Sequence, residues 1–113
     1  MDVQVKPYDN DTTVVTASGD VDGSNAPQLQ EQVLAVAQPG CRLLLDMTDV
    51  SYMSSAGLRV MLLLHRQISG GKGKVVIVGL NEDIKSTMSA TGFLKFFTTA
   101  DTLEAGKVAL DQL

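Results

Sequence analysis

Tryptophan is absent from this sequence, cysteine and histidine occur once each, and aromatic residues make up only 4% of it. With Cys41 alone there is no internal disulfide and no cysteine-based metal site. Scarce aromatics remove the platforms on which bases and sugars stack, and they leave a core built from aliphatic residues and methionine. Basic residues are outnumbered, with 9 Lys and Arg against 13 Asp and Glu for a net charge of -4. No basic patch therefore points to nucleic acid. Apolar runs are short; residues 60–64 form one of the longest, far below the ~20 residues of a membrane-spanning helix. Met1 leads straight into Asp2 with neither a basic nor an apolar leader, so no signal peptide is expected. These absences, with 113 residues of which 44% are hydrophobic and 19% charged, predict one soluble cytoplasmic domain over residues 1–113 with no membrane partner.

What is present is a clear alternation of periods. Residues 3–8 alternate apolar and polar as a half-buried strand does, and Pro7 suits an edge or strand end. Asp9-Asn10-Asp11 is a turn cluster, and residues 13–18 form a second, β-branched strand, so the chain opens on a hairpin. Gly19-Asp20-Val21-Asp22-Gly23 follows. Ser24 or Asn25 is placed to cap a helix with Pro27 in its first turn. Ala26, Leu29, Val33, Val36 and Ala37 make the apolar face of that helix, and Pro39-Gly40 stops it. Residues 42–45 read as a central strand buried on both faces, with residues 46–51 as the loop after it. A second helix is predicted from Ser54 to Ile68, apolar over most of its girth and so packed on more than one side.

Residues 69–73 are a loop and 74–79 another buried strand. Asn81 is placed to cap a third helix, with Glu82 and Asp83 in its first turn and Ile84 and Met88 on its apolar side. Residues 94–97 read as a last short strand. Asp101 with Glu104 resembles a capping box for a C-terminal helix carrying Leu103, Leu110 and Leu113. The order β-β-α-β-α-β-α-(β)-α predicts an α/β fold with a parallel sheet core and an antiparallel N-terminal strand.

Chemistry centres on Ser54 and Ser55, which follow a central strand at the end where open α/β sheets place their sites. Local pattern alone favours a helix cap, which is worth ~1 kcal/mol. A nucleophilic serine needs a base within reach. His65, the only histidine, lies about 15 Å along the same helix at about 1.5 Å per residue, and the G-x-S-x-G spacing is absent. A receiver-type phospho-aspartate at Asp46 lacks the paired acids that hold magnesium. Gly70-Gly71-Lys72-Gly73-Lys74 precedes a strand and lacks the G-x-x-x-x-G-K-S/T frame of a phosphate loop. Asp20 and Asp22 have no histidine or cysteine cluster beside them, so no metal and no cofactor is expected. A serine phosphorylated by another protein remains. The helix N-terminus tolerates that anion, and the added charge changes which surface can dock.

Gly19-Asp20-Val21-Asp22, then Leu44-Leu45-Asp46-Met47-Thr48-Asp49-Val50-Ser51-Tyr52-Met53-Ser54-Ser55-Ala56-Gly57-Leu58, resemble the anti-sigma factor antagonist family and its STAS domain, across essentially the whole chain. The resemblance implies a mixed sheet, N-terminal hairpin plus parallel strands, with four helices packed largely on one face. It implies a bacterial partner-switching regulator of transcription rather than an enzyme. The unmodified protein binds an anti-sigma factor or related serine kinase, is released by phosphorylation, and is restored by a serine phosphatase. Carried onto this chain, the phosphorylated residue is Ser55. The family's aspartate before it is Ser54 here, which makes Ser54 a second candidate. Asp22 matches the acid that closes the first motif. Arg59 stands where glycine is frequent and puts a cation one turn into the docking helix. The expected partner surface is Asp20, Asp22, Gly23, Met53, Ser54, Ser55, Ala56, Gly57 and Arg59. The alternative is a STAS scaffold subunit of a larger signalling or transport assembly that is never phosphorylated.

Overall fold

A computed structural model describes all 113 residues, Met1–Leu113. The elements run β1 (Asp2–Pro7), β2 (Thr13–Ser18), α1 (Ala26–Leu34), β3 (Arg42–Asp49), α2 (Ser55–Gly70), β4 (Lys74–Val78), α3 (Glu82–Ala90), a 3-10 turn (Leu94–Phe96), β5 (Thr99–Ala100) and α4 (Leu103–Asp111). The five strands lie in sequence order across one sheet. β1 pairs antiparallel with β2, and every later pairing is parallel. The expected hairpin-plus-parallel sheet is therefore observed.

The period-2 rule sorts the strand residues between the two faces. Val15, Ala17, Leu43, Leu45, Met47, Val75 and Ile77 point to one side. There they meet Leu29 and Val33 of α1, Leu58, Met61, Leu64 and Ile68 of α2, and Ile84 and Met88 of α3 in one core. Val14, Leu44, Val76 and Val78 point to the other side, where Leu110 of α4 completes a smaller cluster. Three helices thus share one face and α4 covers the opposite one alone. α4 comes close because Gly106 has no side chain: a Cβ there would lie 2.8 Å from Val78 Cγ2 and 3.2 Å from Leu44 Cδ2. Its last turn is tied down by charge. Lys107 reaches Asp9 at 3.3 Å and Asp111 at 2.9 Å, and Asp111 also pairs with Arg42.

Several boundaries depart from the sequence reading. β3 does not stop at Leu45. Asp46 to Asp49 go on pairing with β2, through Thr16 and Ser18, and Asp46 accepts from the Thr48 N–H and hydroxyl instead of opening a loop. Residues 94–96 are a 3-10 turn, and the last strand falls on Thr99–Ala100. Phe93, Leu94 and Phe97 pack against the main core, which bends that segment away from the sheet. The cap of α4 is Thr102, whose side chain accepts from the Ala105 N–H, while Asp101 pairs with Lys85. α1 ends at Leu34, short of Ala37. α2 is not buried all round, since Leu63 is 44% exposed. His65 is half-buried with its ring edge-on to Phe97 at 5.3 Å, and burial pushes its pKa down. Cys41 is likewise half-buried, and desolvation raises its thiol pKa.

After β4 the chain passes directly over the end of β3. Gly79 has φ +78, and a Cβ there would lie 2.2 Å from Thr48 Oγ1 and 3.0 Å from the Thr48 Cα. Gly92 has a similar φ of +80 but open space around it. Gly92→Ala should cost about 1–2 kcal/mol of stability, the ordinary price of a left-handed L-residue. Gly79→Ala adds a backbone clash and should cost clearly more, about 3 kcal/mol or beyond. Urea denaturation of the two variants checks the order.

Candidate functional site

The two stretches singled out in the sequence meet beyond the C-terminal ends of β2 and β3. Their junction is made by main chain. Val21 and Met53 form an isolated parallel bridge. The Val21 N–H donates to the Tyr52 carbonyl at 2.9 Å, and the Ser54 N–H donates to the Val21 carbonyl at 2.8 Å. The Gly19 N–H adds a bond to the Asp49 carbonyl at 3.1 Å, and the Ser51 hydroxyl donates to Asp20 Oδ1 at 3.0 Å. Val21 and Met53 are buried, so the bridge carries its own apolar plug.

Gly57 is required by that plug. A Cβ on it would sit 2.7 Å from Met53 Cγ and 3.0 Å from Val21 Cγ1. The first turn of α2 can therefore rest directly on the bridge. Gly23 approaches the same turn from the other loop, where a Cβ would stand 3.8 Å from Ala56 Cβ. Of the expected surface, Asp20, Gly23, Ser55 and Arg59 are exposed, and Asp22, Ser54 and Ala56 are half-buried. Met53 and Gly57 are buried and shape the surface from beneath.

The two serines divide the work. Ser54 is the N-cap of α2, in extended conformation with φ -75 and ψ 172, and its hydroxyl accepts from the Gly57 N–H at 3.3 Å. Ser55 is the first residue of the helix and its side chain is exposed. The capping role is thus filled without Ser55, whose hydroxyl stands at the positive end of a helix of 16 residues.

Asp22 faces its own loop. Its Oδ1 accepts from the Ser24 hydroxyl at 2.6 Å and the Ser24 N–H at 2.9 Å. Those two donors hold the carboxyl below its ordinary value of 3.8. Asn25 was a candidate cap, but its side chain makes no bond to α1. It accepts from the Asp22 N–H at 3.0 Å and donates to the Asp20 carbonyl at 2.9 Å, which fixes the loop instead.

A third element borders the site that the sequence reading did not include. Asn81 caps α3 through the Ile84 N–H at 2.8 Å. Its Nδ2 also donates to the Ser51 carbonyl at 3.1 Å and the Val50 carbonyl at 3.4 Å. α3 is thereby pinned to the loop before α2. Between them lies a cavity of about 110 Å³ lined by Ser51, Tyr52, Met53, Leu58, Asp83, Ile84 and Thr87. Tyr52 stands beside it with 55% of its surface exposed. The cap signal at Asn81 was visible in the sequence. Its second set of bonds, across to residues 50 and 51, was not.

Comparison with known proteins places this arrangement. The STAS domain family model matches residues 2–106. The chain belongs to the STAS domain family. BtrV of Bordetella bronchiseptica, named as an anti-sigma factor antagonist, is 34% identical over 97 residues, which span 85% of this chain and 84% of that protein. The anti-sigma-B factor antagonist of Bacillus subtilis is 30% identical over 106 residues, 94% of this chain and 96% of its own. The STAS fold itself superposes on an anti-sigma factor antagonist from Mycobacterium paratuberculosis with a TM-score of 0.85 at 24% identity, covering 97% of this chain and 93% of that one. It also superposes on the phosphorylated form of the Bacillus cell fate determinant SpoIIAA with a TM-score of 0.69 at 18% identity, covering 98% of each chain. The chain is thus a STAS domain whose sequence relatives are named anti-sigma factor antagonists. No helix of this STAS domain is long and apolar enough to cross a membrane.

Two measurements check this geometry. Ser54→Ala should lower stability by about 1 kcal/mol through loss of the cap, whereas Ser55→Ala should stay within about 0.5 kcal/mol, both read by urea denaturation. In an NMR titration the Asp22 carboxyl should have its midpoint below 3.8, and Ser24→Ala should return it toward that value. The sign follows from linkage. A depressed carboxyl stabilises the folded loop at pH above its ordinary value, and the contribution is lost as pH falls through the lowered one.

Proposed function

We propose that this protein is an anti-sigma factor antagonist. In its unmodified state it binds an anti-sigma factor or related serine kinase, and phosphorylation of Ser55 releases it. The reading rests above all on the free, exposed Ser55 hydroxyl at the first position of α2, beside a cap already supplied by Ser54. A kinase can modify such a hydroxyl without dismantling the helix start. The phosphate brings about -1.5 to -2 charges into reach of free helix N–H groups, so the modified domain remains folded. Its effect falls on docking: the same surface already carries Asp20, Asp22 and Asp49, and more negative charge there repels an acidic or apolar partner face.

Ser54 is compatible with the switch. Aspartate and serine are near-equivalent N-caps, so Ser54 fills the structural place of the family's acid and leaves Ser55 as the site to modify. The partner surface combines the loop at Asp20, Asp22 and Gly23 with the turn at Ser54, Ser55 and Ala56 and the exposed side of α2 at Arg59. Met53 and Gly57 support it from below. The protein acts by binding and carries no catalytic step of its own. ATP enters through the kinase, and a serine phosphatase resets the switch.

The test is incubation with an anti-sigma-type serine kinase and ATP, followed by site mapping and a binding assay. One phosphate should appear on Ser55, none on the Ser55→Ala protein, and one still on Ser54→Ala. Ser55→Asp should bind the kinase at least about tenfold more weakly, a loss of about 1.4 kcal/mol. Equal affinity of Ser55→Asp and wild type would remove the switch and leave the permanently unmodified scaffold.

A further inference from the structure

The sheet has two edges and they are unlike. β5 is only two residues long, Thr99–Ala100, too short to template another strand. β1 is six residues long, and all of them except Val3 are exposed. Val5 leaves 45% of its surface in solvent.

The main-chain groups of β1 alternate between its neighbour and the open side. The Tyr8 N–H donates to the Thr12 carbonyl at 2.8 Å, and the β1–β2 register runs without a break from Asp2 opposite Ser18 to Pro7 opposite Thr13. The even-numbered residues therefore bond β2, and Val3 and Val5 turn their N–H and C=O groups to the open edge. Pro7 falls in the outward set, where its missing N–H costs the existing sheet nothing. Side chains alternate as well. Val3 and Val5 lie on the face of the large core, opposite Ala17 and Val15, and Asp2, Gln4 and Lys6 lie on the other face, opposite Ser18, Thr16 and Val14.

We propose that this edge pairs antiparallel with β1 of a second copy, about a twofold axis at Gln4. The strand Asp2-Val3-Gln4-Val5-Lys6 is complementary to its own reverse. The axis sets Asp2 opposite the partner's Lys6, Val3 opposite the partner's Val5, and Gln4 opposite the partner's Gln4. Each Val3–Val5 pair falls on the outward main-chain groups and exchanges two hydrogen bonds, as the antiparallel ladder requires. The exposed Val5 gains an apolar neighbour across the new edge, and each end gains an opposite-charge pair.

The alternatives are disfavoured by the same residues. Parallel in-register pairing sets Asp2 beside Asp2 and Lys6 beside Lys6. A shift of two residues in the antiparallel register separates the charges from their mates, and a shift of one turns valine toward the polar face. A lone edge lysine usually guards against pairing. Here the same strand supplies the acid that answers it at the symmetric position. The interface is isologous and closes at two copies, giving one continuous sheet with α1, α2 and α3 of both copies on the same side.

Sedimentation equilibrium over a concentration series tests the pairing. Wild type should show a reversible monomer–dimer equilibrium. Lys6→Asp should weaken dimerisation about tenfold or more, and Asp2→Lys combined with Lys6→Asp should restore it, because the swapped charges meet again. Gln4→Cys in a Cys41→Ala background should cross-link to itself under mild oxidation, since residues facing across the axis are within disulfide reach. A protein that remains monomeric at every concentration overturns the proposal. So does a dimer that tolerates Lys6→Asp, or one that leaves Gln4→Cys uncross-linked. None of these readouts depends on Ser55 or on a kinase.

Discussion

The arrangement depends on two main-chain hydrogen bonds at Val21, one to Tyr52 and one from Ser54. They join the loop after β2 to the loop after β3, well apart in sequence and adjacent only because the two strands are parallel neighbours. Side chains only support the join: Met53 and Val21 plug it, and Gly57 makes room for the plug. Breaking either bond would strand a main-chain group of Val21, which is fully buried, and that is costly. The start of α2 is therefore held in place from behind, and the exposed residues around it are free to serve recognition.

That division would let the proposed site accept a large change in charge without a change in fold. The residue that ends the loop, Ser54, spends its hydroxyl on the Gly57 N–H. The Ser55 hydroxyl contributes no hydrogen bond to the architecture. Asp22 is occupied with Ser24 and Asp20 with Ser51, so the acids near the turn are fixed in position rather than free to follow a new charge. Under the proposed switch, one added phosphate would join acids whose positions these bonds define.

Elements with strong local signals were legible in the sequence. The hairpin, the buried β4 strand, the Asn81 cap and the helix after Ser54 follow from period, turn residues and capping chemistry. What failed was wherever tertiary contacts outweighed local preference. The acid at Asp46 reads as a strand end, yet pairing with Thr16 carries β3 on to Asp49. Leu94 and Phe97 read as strand residues but pack, half-buried, against the core and leave the edge to Thr99. Asp101 and Thr102 are both able to cap; in the fold Thr102 caps and Asp101 pairs with Lys85. The site divides in the same way. The motif identified both loops and both serines, but the allocation of cap and free hydroxyl, and the contribution of α3 through Asn81, exist only in three dimensions.

The sheet's two coats are unequal, with 21 buried residues in the cluster on one side and 5 on the other. The charged anchor of α4 gathers at the start of β3 and the β1–β2 turn, the end of the sheet opposite the joined loops. A fold built this way has a working side and a backing. The backing layer seals the face of the sheet turned away from α2, while Val21 and Met53 of the bridge and Leu58 of α2 belong to the larger cluster. A change confined to that smaller cluster reaches the proposed recognition surface only through the sheet itself.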